Sequence, residues 1–169
     1  MRFAPVAMIL AAALLLPLQA MAEDDHDHEH ASEENFDAHL SEHDGLRVLH
    51  PWAVTETDGL RIYLEIENQR SEEIVLKGGE SHDGAALAVV ATRPGTSESD
   101  VIGEIPIAAG ADMEFAPGEL YLLLSPAPDV APGDMIDAHL ELDPVGELDI
   151  EIEVFPSGTR QHPHAGHNH

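Results

Sequence analysis

The chain has 169 residues, of which 33 are acidic and only 7 are basic, so its formal net charge at pH 7 is −26. This charge argues against nucleic acid and anionic lipid as partners, because both repel a strongly acidic protein. The absence of cysteine excludes disulfides, thiolate catalysis and thiol redox chemistry.

The first 22 residues have the form of a secretory signal peptide. Arg2 supplies a positive charge, residues 6–18 are mostly apolar, and Ala20-Met21-Ala22 has the small-x-small pattern that signal peptidase recognises. The apolar run contains Pro17 and is shorter than the roughly 20 residues that a membrane-spanning helix needs. We therefore predict cleavage after Ala22, export to the periplasm and no membrane insertion of the mature protein.

An acidic, histidine-rich segment follows from residue 23 to residue 44. Its alternation His26-Asp27-His28-Glu29-His30 interleaves imidazoles with carboxylates, and only Phe36 and Leu40 are large apolar residues. Such a composition cannot bury enough surface to offset chain entropy, so we predict a tail that is disordered when metal-free. Neutral imidazole is the commonest protein ligand for zinc and copper, and this pattern indicates metal binding.

Residues 45–156 are predicted to form a β-rich domain. Apolar residues alternate with charged ones over residues 60–67 and again over residues 148–154, as in half-buried strands. Other short runs are strand candidates, at 46–52, 73–78, 86–92, 100–107, 119–125 and 134–142. Because turn-forming residues separate these runs and no helical period is sustained, the pattern favours an all-β antiparallel sandwich or barrel.

The last segment, residues 157–169, is a second histidine-rich tail. A solvated acidic run would explain the carboxylates of the tails but not their clustered imidazoles, which are typical of metal-binding tracts. The predicted metal ligands come from both tails and from the start of the domain: His26, His28, His30, His39, His43, His50, His162, His164, His167 and His169. Imidazole with carboxylate suits zinc and copper(II), and the ligands lose metal as histidine protonates below about pH 6.

Three histidines lie within the domain itself. His50 lies close in sequence to the first tail, so it is either a surface histidine at a strand edge or a partner of His39 or His43 in one metal site. His82 lies in a predicted turn. His139 is predicted to share a solvated strand face with acidic neighbours.

Several short motifs of the domain, in their order and spacing, resemble the PCuAC family of periplasmic copper chaperones. They are His50-Pro51-Trp52-Ala53, the strand 63–68, the run 105–110, Phe115-Ala116-Pro117-Gly118 and Pro132-Gly133-Asp134. The resemblance implies a cupredoxin-like β-sandwich that binds copper(I) and delivers it to the copper centres of cytochrome oxidase.

The chain departs from this family at the copper site. The resemblance implies two histidines and two methionines, the last pair arranged as His-x-Met after the turn Pro117-Gly118. Here Tyr121 and Leu123 stand at those two positions, and residues 85–104 contain neither histidine nor methionine. The usual site is therefore predicted to be missing, and the nearby Met113 is predicted to fill the core.

Two functions remain open. The first is a periplasmic copper or zinc chaperone or buffer that binds metal through its histidine-rich tails and passes it to a periplasmic or membrane protein. The second is a PCuAC-like scaffold or partner-binding module without physiological metal transfer. An enzyme is not expected, because the sequence has no Gly-x-Ser-x-Gly, no His-Glu-x-x-His and no phosphate-binding loop.

Overall fold

The computed structural model describes residues 40–162, which form eleven β-strands and no helix. Accordingly, no helix in this part of the chain is long and apolar enough to cross a membrane. The strands are β1 Leu40–His43, β2 Leu46–Glu56, β3 Gly59–Asn68, β4 Ile74–Ser81, β5 Ala86–Thr92, β6 Ser99–Gly103, β7 Ile105–Ile107, β8 Asp112–Phe115, β9 Leu120–Leu124, β10 Met135–Asp143 and β11 Gly146–Phe155. The predicted all-β fold class is confirmed.

The strands form one continuous sheet that closes on itself. Their order is β1-β2-β11-β10-β4-β5-β9-β3-β8, and β2 also pairs with β3, so the sheet forms a flattened barrel. Among the described strands, every pairing is antiparallel except the parallel pair β2–β11. Closure leaves an inner face for the core and an outer face on which candidate ligands lie.

Because apolar residues alternate with polar ones along the strands, the apolar side chains line the inner face of the barrel. The even-numbered apolar residues from Leu60 to Ile66 in β3 are almost fully buried, as are those from Leu148 to Val154 in β11. Burying each such side chain stabilises the fold by about 1.5–3 kcal/mol. The two clearest predicted strands are therefore correct, and both contribute to the main core.

Two strands were not predicted from the sequence. One is β8. The other, β1, lies inside segment 23–44, so the described end of that segment is a paired strand and not a disordered tail. Asp44 and Gly45, with φ values of 50° and 77°, form the two-residue turn of the β1–β2 hairpin. Asp-Gly between two extended runs is a hairpin signal, and the guanidinium of Arg70 holds the turn through the carboxylate of Asp44.

Two glycines allow β4 to lie close to both of its neighbours, β10 and β5. A Cβ atom on Gly79 would lie 2.1 Å from the carbonyl oxygen of His139, and one on Gly78 would lie 2.4 Å from that of Leu87. Those carbonyls belong to β10 and β5, which pair with β4. Side chains at these positions would separate the strands, so only glycine fits.

Candidate metal site

The structure describes three of the ten predicted metal ligands. His26, His28, His30, His39, His164, His167 and His169 lie outside the described residues. His43 is exposed at the end of β1. His50 and His162 come together, although they lie at opposite ends of the domain in sequence.

The rings of His50 and His162 form the centre of the candidate site. Their centroids are 5.4 Å apart and their planes are inclined by 46°. His162 is 7% exposed, and its ring packs edge-on against that of Phe155 at 5.6 Å. From the sequence, His39 and His43 were the candidate partners of His50, and its contact with His162 was not predicted.

The segment that follows β11 delivers His162 to this position. It begins beside β2, where the Ser157 hydroxyl donates a 2.9 Å hydrogen bond to the carbonyl oxygen of Thr55. The rings of Phe155 and Trp52 also meet edge to face, with centroids 6.1 Å apart. The segment thus returns along β2 from Thr55 towards His50.

A β-bulge presents His50. The register of β2 against β3 shifts between Leu49 and Trp52, and His50 has a φ of 50°. A positive φ is uncommon for a residue other than glycine, and bulges re-aim side chains near functional sites. Such backbone geometry is consistent with a functional role for His50.

An open pocket of about 790 Å³ lies beside the two histidines. Its walls also include two acidic residues, Glu65 and Glu114, which are directly opposite each other in β3 and β8. Burial raises the pKa of Glu65, and the neighbouring carboxylates of Glu67, Asp112 and Glu114 raise it further. The pocket therefore combines two imidazoles and two carboxylates, and Arg160 also lines it.

An aromatic cluster on the same outer face occupies the positions that the PCuAC resemblance assigns to copper ligands. Tyr121 is 2% exposed and packs with Trp52 and Tyr63, and Leu123 packs against this cluster. The Arg61 guanidinium lies 4.8 Å from the Tyr121 ring centroid, and burial raises the pKa of Tyr63. The cluster stabilises the face by packing and cation–π attraction.

The other described histidines lie elsewhere. His82 is in a turn, as predicted, and its backbone N–H donates a 3.0 Å hydrogen bond to the carbonyl of Asp137. His139 is half-buried on β10, opposite Asp149. Both line a second pocket of about 560 Å³. Within residues 40–162, no three His, Asp or Glu side chains already stand close enough to hold a metal ion.

Comparison with solved structures identifies the fold. The apo PCuAC domain of PmoF2 matches 73% of this chain and 99% of its own length, with a TM-score of 0.61 and 17% identity. The apo PCuAC domain of PmoF1 (TM-score 0.58, 19% identity) and the copper-bound PCuAC domain of PmoF2 (TM-score 0.57, 18% identity) each match 70% of this chain, and 99% and 98% of their own lengths.

No protein-family model and no curated protein matches the sequence. The structural matches nevertheless confirm the predicted resemblance at the level of the fold. The described barrel has the fold of a PCuAC domain.

Proposed function

We propose that this chain is an exported metal-binding protein, a periplasmic chaperone or buffer for copper or zinc that binds the ion through its histidine-rich terminal segments. One observation carries the proposal: both segments join the barrel beside the same histidine, His50. On one side, Leu40 pairs with Leu49, and these two residues are the sequence neighbours of His39 and His50. On the other side, His162 contacts His50 directly.

The chemistry of these residues fits the proposed cargo. Imidazole nitrogen is a good donor for zinc and for copper in both oxidation states, and a copper-bound domain shares this fold. His164, His167 and His169 follow His162 within seven residues of sequence and belong to the same proposed ligand set. The net charge of −26 also attracts cations to the protein.

A competitive titration with zinc(II), copper(II) and copper(I) tests the proposal. The mature full-length protein is compared with residues 40–162 alone, which keep β1 and the contact between His50 and His162, and with His50→Ala/His162→Ala in the full chain. We expect tight binding by the full-length protein, weaker binding by the trimmed protein and loss of the tightest site in the double variant. Weak binding of all three ions by the full-length protein would refute metal carriage.

A scaffold or partner-binding module without metal transfer is the second candidate. The apolar packing of Tyr121 and Leu123 favours it, because these side chains supply no copper ligands. Strand β6 also exposes Val101 and Ile102, at 65% and 40%, and among the described strands it pairs only with β5. Under this alternative, the full-length protein binds metal weakly, and Val101→Ser/Ile102→Ser abolishes association with its partner.

Export and lack of catalysis belong to the same proposal. N-terminal sequencing of protein recovered from the periplasm should begin at Glu23. Turnover of a substrate that persists after removal of both terminal segments would contradict a purely metal-carrying role.

A further inference from the structure

Strand β6 is a sheet edge that exposes apolar side chains. All five of its residues are exposed, and in the described part of the chain Val101, Ile102 and Met135 are the only exposed large apolar residues. Successive strand residues point to opposite faces, so both faces of β6 are open to solvent. Among the described strands β6 pairs only with β5, and its other edge has none of them as a partner. A free edge of this kind is a template for pairing with another chain.

The hairpin that carries this edge is well ordered. The hydroxyl oxygens of Thr92 and Ser99 lie 3.2 Å apart across it, and the backbone N–H of Arg93 donates a 2.8 Å hydrogen bond to the carbonyl oxygen of Glu98. The first strand of the hairpin, β5, also pairs with β9 over residues 87–91. A strand that is already held extended loses little conformational entropy when it pairs, so β6 is pre-organised for docking.

The same hairpin neutralises its own acidic residues. Nε and Nη2 of Arg93 donate hydrogen bonds of 2.8 and 3.0 Å to the two carboxylate oxygens of Asp100, and Nη1 donates one of 2.6 Å to Glu98. Strand β5 has no charged residue, and Asp100 is the only one in β6. The outward residues of β10 and β11 are, by contrast, mostly acidic. On a chain with a net charge of −26, two copies therefore repel each other less at β6 than along β10 or β11.

The sequence of β6 is also compatible with itself in an antiparallel pair. A two-fold axis at Val101 places the two Val101 side chains opposite each other and sets Asp100 of each copy opposite Ile102 of the other. No carboxylate then lies opposite its own counterpart, an arrangement that would be destabilising. The pairing removes the exposed apolar side chains of β6 from water and joins the sheets of the two copies.

We propose that β6 is a self-association edge, along which a second copy of this chain pairs antiparallel to form a symmetric dimer. The contact is small, because β6 has five residues and a β-bulge at Ile102 shifts its register against β5. It should bury less than the roughly 1,200 Å² of a stable interface, so the dimer dissociates on dilution. The association requires no metal ion and is independent of the proposed metal-binding function.

Sedimentation velocity of the mature full-length protein tests the proposal. A chelator keeps the protein metal-free, so that histidines of the terminal segments cannot link two copies through an ion. The measurements cover a wide range of protein concentration at low and high salt. Val101→Ser/Ile102→Ser is compared with the matched control Met135→Ser, which changes the exposed large apolar residue of β10.

We expect the wild type to form a dimer whose population rises with protein concentration. It should also rise with ionic strength, because salt screens the net negative charge. The β6 double variant should dimerise at least about tenfold more weakly, and Met135→Ser should change the dissociation constant less than about threefold.

The charge argument has its own variant. Arg93→Gln leaves the carboxylates of Glu98 and Asp100 uncompensated beside the two-fold axis. We expect it to weaken dimerisation at low salt and to approach the wild type at high salt, because the added repulsion is screened.

A cysteine introduced at position 101 locates the contact. The chain contains no cysteine, so a disulfide between two copies of Val101→Cys can only join residue 101 to its counterpart. Under mild oxidation we expect this variant to form a covalent dimer at least about tenfold faster than the control Met135→Cys, because pairing raises the effective concentration of the two thiols.

A wild type that stays monomeric at the highest concentration and salt would overturn the proposal. A dimer that survives Val101→Ser/Ile102→Ser, or that Met135→Ser disrupts equally, would show that β6 is not the contact, as would equal cross-linking rates of the two cysteine variants. Dimers that form only when zinc(II) or copper is added would assign the association to metal bridging. That result would refute pairing along β6 and leave the proposed metal-binding function intact.

Discussion

In the metal-free protein, the carboxylate of Glu65 should reduce stability. It lies directly opposite Glu114 and diagonal to Asp112, without an ion pair among the described residues. Burial and these neighbouring charges raise its pKa above the ordinary value of 4.5. A glutamine of nearly the same shape removes the charge, so Glu65→Gln should stabilise the metal-free protein at neutral pH.

The size and pH dependence of this gain follow from the arrangement. A directly opposed like-charge pair costs about 0.2–1 kcal/mol, and a gain of this size raises the melting temperature by about 1–4 °C. Because the folded-state pKa is raised, the favourable contribution of the protonated form is complete below the unfolded pKa and is lost as pH rises through the folded pKa. The gain from Glu65→Gln should therefore be present at pH 7 and vanish below about pH 4.

Urea unfolding in the presence of a chelator measures this gain. Trp52 is the only tryptophan and is buried beside Tyr63, so its fluorescence reports unfolding. Glu67→Gln is the control on the same strand, and it should be neutral or destabilising because it removes the negative charge that pairs with Arg47. A Glu65→Gln variant that is less stable than the wild type at pH 7, or whose gain persists at pH 3.5, would refute the reasoning.

Three further predictions concern the cluster, the barrel and the bound ion. Tyr121→Ala should lower the free energy of unfolding by about 3–5 kcal/mol, since it empties a buried aromatic position, and urea denaturation measures the loss. Gly79→Ala should cost at least about 2 kcal/mol in the same assay, because its Cβ meets the carbonyl of His139. Zinc(II) at 100 times its dissociation constant should stabilise the wild type by about 2.7 kcal/mol. At the same zinc concentration, calorimetry should show a smaller stabilisation in His50→Ala and in the wild type below about pH 6.

Much of the barrel can be predicted from local patterns in the sequence. The alternation around Ile62 and around Ile150 specifies which residues enter the core, and the structure buries them. Strand β1 was missed because its acidic composition resembles a disordered tail, although Asp44-Gly45 marks a hairpin. The predicted run 100–107 is divided into β6 and β7, which pair with different strands, β5 and β4.

The candidate site was harder to predict, because its parts meet only through tertiary structure. Histidine composition indicated that His50 and His162 bind metal, but only the return of the chain along β2 brings their rings within 5.4 Å. The opposition of Glu65 and Glu114 depends on the register of β3 and β8, and β8 itself was not predicted. With 33 acidic residues in the chain, no local feature distinguishes these two.

The aromatic cluster and the acidic pocket are neighbours on one face of the barrel, and this arrangement connects the fold to the proposed change of ligand chemistry. Tyr63 and Glu65 are successive outward residues of β3, the first in the cluster and the second in the pocket. Tyr121 and Leu123 pack with apolar neighbours, so that part of the face has a structural role. The PCuAC resemblance implies a histidine and a methionine at these two positions, and neither donor is present. One step further along β3, the bulge at His50 and the returning C-terminal segment supply imidazoles beside carboxylates. Under the proposed function, a barrel with the PCuAC fold keeps its core and strand order while histidines of its terminal segments take the place of the ligands that the resemblance implies.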